Sequence, residues 1–253
     1  MMLSVSDLTV SRGGKDVVQH VSFDIHAGEW WMLLGPNGAG KSSFIMAVSK
    51  AVPYTGSILC KGREVGSVRP KVLAQTIAVL NQSNPVSYGF LVEDVVRLGR
   101  YAYRQGMFGA SDPKEQEMVE KALEWTGMKK LRRRSLKTLS GGEVQRTFLA
   151  QVLAQDPELL ILDEPSSSLD LKHQHRLFEL VSEWVKQPGK AVLSAVHDLS
   201  IAKKCGSHAL MLSEGRMVAK GTIRDVLTDD VLDSVYDIPV RPWMRELLKQ
   251  WEQ

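Results

Sequence analysis

The chain has 253 residues, 43% of them hydrophobic, and 32 Lys and Arg stand against 29 Asp and Glu for a net charge of +3. That length supports one or two domains that need no disulfide or metal to fold, and 24% charged residues exclude global disorder and collagen. No apolar run approaches the roughly 20 residues of a spanning helix, and the N-terminus shows no basic-then-apolar secretory signal. Cys60 and Cys205 fit no zinc or redox spacing and read as buried thiols of a reducing compartment. The excess charge is local: Lys129, Lys130, Arg132, Arg133 and Arg134 supply five positives, without which +3 becomes −2. Such a run reads as a solvated face, and no nucleic-acid partner is expected.

In chain order, strands are predicted at 4–10, 17–25 and 29–34, with a turn at Gly13 and Gly14 between the first two. A glycine-rich turn follows Leu34, then a helix from 41 to about 52, then short strands at 56–60 and 77–80. From 92 to about 139 the period becomes helical and includes a helix over 112–126 with Pro113 at its start. An amphipathic helix over 140–155 puts Val144, Phe148, Leu149, Val152 and Leu153 on one face and stops at Pro157. Strands at 159–162, 191–196 and 209–212 then alternate with helices at 171–186 and 199–205. That alternation implies a parallel sheet flanked by helices, interrupted by a mostly helical insert.

Residues Gly35, Pro36, Asn37, Gly38, Ala39, Gly40, Lys41 and Ser42 fit the phosphate-loop pattern G-x-x-x-x-G-K-[ST] between a strand and a helix. Glycines let successive N–H groups turn inward around a polyphosphate, and the helix N-terminus adds its positive dipole end. Lys41 is suited to reach the β- and γ-phosphates and Ser42 to ligate Mg2+, with Ser43 beside them in the first helical turn. A second motif is the apolar strand 159–162, which ends in Asp163 and Glu164. A buried strand delivers Asp163 to the sheet edge where open α/β proteins bind ligands, there to hold Mg2+. Glu164 can then orient or deprotonate an attacking water; standing alone, the pair would read as a helix-capping turn. Ser140, Gly141 and Gly142 open another helix N-terminus and so a second anion site, which one nucleotide does not need.

With Leu139 before it and Glu143, Gln145 and Arg146 after it, that segment resembles the LSGGQ signature of the ATP-binding-cassette ATPases, with Glu143 in place of Gln. The resemblance runs from Ser4 to about Pro239 with the motifs in the family's order. Gln82 matches the Q-loop glutamine, Ser167, Ser168, Leu169 and Asp170 the D-loop, and His197 the switch histidine. Taken singly, these read as a surface glutamine, a helix N-cap at Asp170 and a core-edge histidine; taken in order, they read as a cassette.

The resemblance implies one nucleotide-binding domain of α/β class over 1–253. Its phosphate-loop NTPase core, with an N-terminal antiparallel β subdomain, would span about 1–85 and 157–253, and a helical subdomain about 86–156. It implies an ATPase using ATP and Mg2+, with Ser42, Gln82 and Asp163 at the metal and Glu164, His197 and Gln82 at hydrolysis. Two such domains form a homodimer head to tail, and Ser140, Gly141, Gly142 and Asp170 of one then face the nucleotide of the other. Where the family has an aromatic residue before the Gly13 turn, this chain has Arg12, whose guanidinium can also stack on a base. Trp30 and Trp31 read as core residues. Tyr88, Phe90, Leu91, Val92 and Val95, together with the helical insert, are expected to dock a permease helix or to pack within the subdomain.

Residues 96–101 (VRLGRY), 169–174 (LDLKHQ), 197–202 (HDLSIA) and 218–222 (VAKGT) look like the ATPases of metal-chelate importers, which serve siderophores, haem and cobalamin. That implies integral-membrane permease partners, indirectly a solute-binding protein, and a peripheral place on the cytoplasmic face of the inner (plasma) membrane. The alternatives are another transporter's ATPase or a soluble cassette of DNA maintenance, translation or iron–sulphur assembly. The interval between Ser42 and Ser140 holds no sustained heptads, which weighs against the coiled-coil insertion of DNA-maintenance types.

Overall fold

The computed structural model describes residues 1–82, 89–104, 113–167 and 169–251. Within them ten strands form one sheet: β1 (Leu3–Arg12), β2 (Lys15–Ile25), β3 (Trp30–Leu34), β4 (Thr55–Cys60), β5 (Arg63–Glu64), β6 (Ile77–Leu80), β7 (Leu159–Asp163), β8 (Ala191–Ala195), β9 (His208–Ser213) and β10 (Arg216–Thr222). The strand order is β5-β4-β1-β2-β10-β9-β3-β8-β7-β6. The helices are α1 (Lys41–Val48), α2 (Pro70–Leu73), α3 (Val92–Leu98), α4 (Glu115–Trp125), α5 (Gly141–Ala154), α6 (Leu171–Val185), α7 (Leu199–Cys205), α8 (Ile223–Val226), α9 (Asp229–Tyr236) and α10 (Val240–Lys249).

The sheet changes character along its width. β6, β7, β8, β3 and β9 run parallel to one another, and every residue of β3, β7 and β8 is buried. Such strands are covered on both faces, which is why they read as uninterrupted apolar runs. The N-terminal strands β1, β2, β4 and β5 pair antiparallel. Between these halves lies β10, which the sequence reading did not foresee: it is antiparallel to β9 and meets β2 through Arg216 and Gln19.

Adjacent residues of β3 point to opposite faces, so Trp30 and Trp31 enter different cores. Trp30 stacks on Phe178 with ring centroids 6.1 Å apart, while Trp31 tilts against Phe23 at 5.0 Å. Both are core residues, as their strand position implied. On Trp30's side, α3, α4 and α5 pack together through Val92, Val96, Val119, Leu123 and Leu149.

Four local expectations change. Helix α1 stops at Val48, and Lys50 turns the chain away at φ 62°. Helix α4 begins at Glu115, leaving Pro113 in the preceding turn. The basic run is only in part a solvated face: Arg132 donates to Glu93 at 2.9 Å and to Glu120 at 2.6 Å. Arg97 donates to the same Glu93 at 2.6 Å and to Glu115 at 3.0 Å. These arginines hold the Glu93 carboxyl down at about 2, with Arg132 the larger cause. Of the two cysteines, Cys60 is buried and its thiol is pushed up to about 11 by burial, but Cys205 is only half-buried. Among the described residues, no helix is long and apolar enough to cross a membrane.

Candidate functional site

The loop 35–40 joins β3 to α1 and takes a path that side chains oppose. Gly35 sits at φ 139° and Gly40 at φ 101°; a Cβ would lie 2.1 Å from Leu212 O at the first and 2.3 Å from Val17 O at the second. Backbone from β9 and β2 therefore presses the loop into shape. The turn between β9 and β10 adds a hydrogen bond, Gly215 N donating to Ala39 O at 3.2 Å.

Helix α1 opens at Gly40 with no side-chain cap and no acidic residue in its first turn. Its first N–H groups, which a helix cannot satisfy internally, are left facing the loop. By contrast α5, α6 and α7 are all capped by their own side chains. Lys41 is only 6% exposed, and its Nζ donates to Gly35 O at 2.8 Å and Pro36 O at 3.0 Å. Burial lowers its pKa, opposed by the charges of Glu164 and Asp163. An ammonium held on two backbone carbonyls beside a helix N-terminus without a side-chain cap fits a polyphosphate.

Asp163, the last residue of β7, is buried and accepts from Ser42 Oγ at 3.4 Å. Burial raises its pKa, while the Ser42 hydrogen bond opposes the rise. A hydroxyl and a carboxylate beside a phosphate cradle are the hard oxygen donors that Mg2+ takes, alongside phosphate oxygens and water. The residues present fit that ion.

Glu164 follows at φ 48°, a left-handed backbone that costs a non-glycine residue about 1–3 kcal/mol and clusters at functional sites. The turn is held by Glu164 N donating to Ala195 O at 3.1 Å, at the end of β8. Its carboxylate gathers two residues remote in sequence: Gln82 Nε2 donates to Oε2 at 2.6 Å, and His197 Nε2 is hydrogen-bonded to Oε1. Gln82, Glu164 and His197 thus meet at one point, beyond the ends of β6, β7 and β8.

The signature segment stands apart from that cluster. Ser140 caps α5 in a reciprocal capping box with Glu143. Ser140 N and Oγ both donate to Glu143 Oε2, at 2.8 and 2.9 Å, and these bonds hold the Glu143 carboxyl below its usual value. Glu143 is therefore also a cap, a part its place in the signature did not suggest. Gly142 lies against Leu169, to which a Cβ would approach 3.5 Å.

Asp170 takes the capping part at α6, accepting from His173 N at 2.9 Å and meeting His173 Nδ1 at 2.8 Å; Ser168 lies outside the described residues. Arg12 rests its guanidinium 2.6 Å from Met46 Sδ of α1. Of the segment after Gln82, Phe90 and Leu91 are exposed, whereas Val92 and Val95 are core and so cannot dock a partner. Tyr88 lies outside the described residues. Within VRLGRY, Arg100 is buried, donates to Ala154 O at 3.0 Å and lies 3.8 Å over Tyr103, so part of that motif is packing.

One polar residue, named in the sequence only as part of the signature segment, has a contact that its place there did not suggest. Gln145 of α5 is buried, and its Nε2 donates to Pro165 O at 3.2 Å. The available signal was a glutamine four residues before Leu149, inside the apolar stripe of the helix.

Residues 18–167 match the protein-family model described as ABC transporter. The sequence is 36% identical over 248 residues to a hemin import ATP-binding protein of Mesorhizobium japonicum, covering 95% of this chain and 93% of that protein. It is 33% identical over 237 residues to an iron(3+)-hydroxamate import ATP-binding protein of Bacillus subtilis, covering 93% and 88%. Among solved structures, an ATP-binding subunit of an ABC transporter aligns with TM-score 0.81 at 26% identity, covering 95% of this chain and 100% of that one.

Proposed function

The chain belongs to the ABC transporter family as an ATP-hydrolysing subunit, and on that premise we propose that it energises the import of a metal chelate (siderophore-iron, haem or cobalamin) through a membrane permease. The observation that carries the mechanism is the Glu164 carboxylate, held by Gln82 and His197 beside the loop that buries Lys41. The relatives named for hemin and hydroxamate import, matched over nearly their whole length, support the cargo class.

In this reading the backbone N–H groups at the end of the loop and in the first turn of α1 bind the ATP phosphates, and Lys41 turns from its two carbonyls to the β- and γ-oxygens. Ser42, Asp163 and Gln82 would hold Mg2+, which when bound neutralises charge on the transferring phosphoryl group. Glu164 orients the attacking water and accepts its proton. His197 fixes the Glu164 carboxylate and faces the γ-phosphate, while Gln82 reports the site's state to the segment that follows it. Arg12 offers a flat cation to the base.

Two anion-binding helix starts on separate elements fit a head-to-tail homodimer in which Ser140, Gly141 and Gly142 close on the partner's nucleotide. Glu143 must then release Ser140, since one hydroxyl cannot serve the carboxylate and the phosphate with the same proton. ATP favours the closed dimer and biases the attached permease; hydrolysis reopens it. Phe90 and Leu91, with Leu98 and Tyr101 of the same subdomain, are all exposed and form the face offered to the permease. That arrangement puts the chain peripherally on the cytoplasmic side of the membrane, served indirectly by a solute-binding protein.

The test is uptake of labelled iron-siderophore, haem and cobalamin in a strain lacking this chain. Loss of uptake of one chelate, restored by the wild type and not by Glu164→Gln, is the expected result. Intact uptake of all three refutes the importer reading.

A further inference from the structure

By the reading above, each protomer serves two nucleotides: Glu164 acts on its own, and Ser140 closes on its partner's. Within one chain the elements that carry these parts touch, though Ser140 and Glu164 themselves do not. Helix α5 is capped by Ser140 and runs on as a single 14-residue helix, and Gln145, further along it, is 4% exposed. Its amide Nε2 donates to Pro165 O at 3.2 Å, across the interval from the signature helix to the residue after Glu164. Beside it the helix start comes near the segment after Glu164, where a Cβ at Gly142 would lie 3.5 Å from Leu169.

A buried amide does not stand in an apolar stripe without a partner, and here the partner is the carbonyl next to the strained catalytic turn. Glu164 N is anchored to β8, so a displacement of Pro165 is taken up at the Glu164 backbone, whose φ of 48° leaves little slack. We infer that Gln145 is a positioning residue that ties the signature helix to the catalytic turn of the same protomer, so that closure on the partner's nucleotide sets Glu164 for its own. The inference rests on the assignment of Glu164 and Ser140 proposed above. It makes hydrolysis at the two sites interdependent through a contact inside each chain. A helix that moves as a unit carries the displacement, and both nucleotides bias it.

The experiment compares the full chain with Gln145→Met, which keeps length and removes the donor, and Gln145→His, whose Nε2 can donate from a similar reach. The readouts are ATP binding by dilute protein, kcat, and the Hill coefficient for ATP hydrolysis. Gln145→Met is expected to bind ATP as the wild type does, with kcat about tenfold lower and a Hill coefficient near 1; misplacement by a full ångström would cost about a hundredfold. Gln145→His is expected to recover both kinetic values. Should Gln145→Met fail to fold, Gln145→Asn draws the amide back by one methylene and is expected to behave the same way.

A non-cooperative wild type overturns the proposal, as does a donor-less variant with wild-type kcat and Hill coefficient, or one whose activity falls only with its folded fraction. Glu164→Gln separates the two readings. If it hydrolyses ATP normally, the catalytic assignment fails; if it is inactive while Gln145→Met is unaffected, only the tie through Gln145 fails.

Discussion

Replacing Lys41 by Met tests whether the phosphate loop holds nucleotide without confusing binding with folding. In the nucleotide-free chain the 6% exposed ammonium pays a desolvation cost of several kcal/mol. Two carbonyl hydrogen bonds at 2.8 and 3.0 Å, each contributing about 1.5–3 kcal/mol from a charged donor, offset it. Met, of similar length, removes the cost and the bonds together, so stability without ATP should fall by no more than the roughly 1–3 kcal/mol of carbonyls left without that donor. With ATP the balance differs. A unit charge about 4 Å from a phosphate oxygen contributes about 4 kcal/mol gross at an effective dielectric near 20. After desolvation roughly 2.7 kcal/mol remains, which is about a hundredfold in Kd.

Thermal unfolding with and without Mg-ATP reads that number. At a ligand concentration of about 100 wild-type Kd, binding stabilises the wild type by about 2.7 kcal/mol; the same concentration, about equal to the variant's Kd, stabilises it by about 0.4 kcal/mol. For a chain of this size about 2–4 °C accompanies each kcal/mol. The wild-type shift of about 5–11 °C should therefore fall to about 1–2 °C. A Lys41→Met protein with the full shift would show that the amine does not reach the phosphates. One that loses more than about 3 kcal/mol without nucleotide would refute the cancellation argued for the empty loop.

Two further outcomes follow from the same geometry. Glu164→Gln keeps the shape and one of the two oxygens that Gln82 and His197 meet but cannot take a proton, so the variant should bind ATP and persist as a dimer on gel filtration in Mg-ATP; a monomer with normal turnover would remove Glu164 from its assigned part. Glu93→Gln should lower stability at neutral pH, because Arg132 and Arg97 hold the wild-type carboxyl at about 2, against 4.5 for an unperturbed glutamate. That shift corresponds to about 3 kcal/mol, and solvent screening leaves about 1–2 kcal/mol. A depressed carboxyl stabilises above its unfolded pKa and stops doing so as pH falls through its folded one. The gap between urea midpoints of wild type and variant should therefore be full above about pH 4.5 and close toward pH 2, and a gap constant across that range would refute the pairing.

What the sequence disclosed, and what it withheld, divides along the range of the interactions. β3, β7 and β8 are continuous apolar runs because both of their faces are covered, and α5 is framed by Ser140 and Pro157, so local pattern was enough. β10 was missed because Arg216, Val218 and Lys220 all face solvent. Its existence depends on the unpaired edge of β9, which no local pattern carries. The same strand pair presses on the phosphate loop, through Leu212 O at Gly35 and Gly215 N at Ala39, so the most legible motif in the chain is shaped by one of the least legible elements. Gln82 and His197 were found only through the order of family motifs, since nothing near either residue in sequence points to Glu164. The basic run was misread in part for the opposite reason. Five adjacent charges suggest solvent, yet Arg132 belongs to Glu93 and Glu120, which arrive from α3 and α4. Gln145 combines both difficulties: its stripe position says buried, its amide says partnered, and only the fold names Pro165. Polar residues on apolar faces are thus where a sequence reading should expect an unseen contact, and in this chain that contact lies against the turn that carries Glu164.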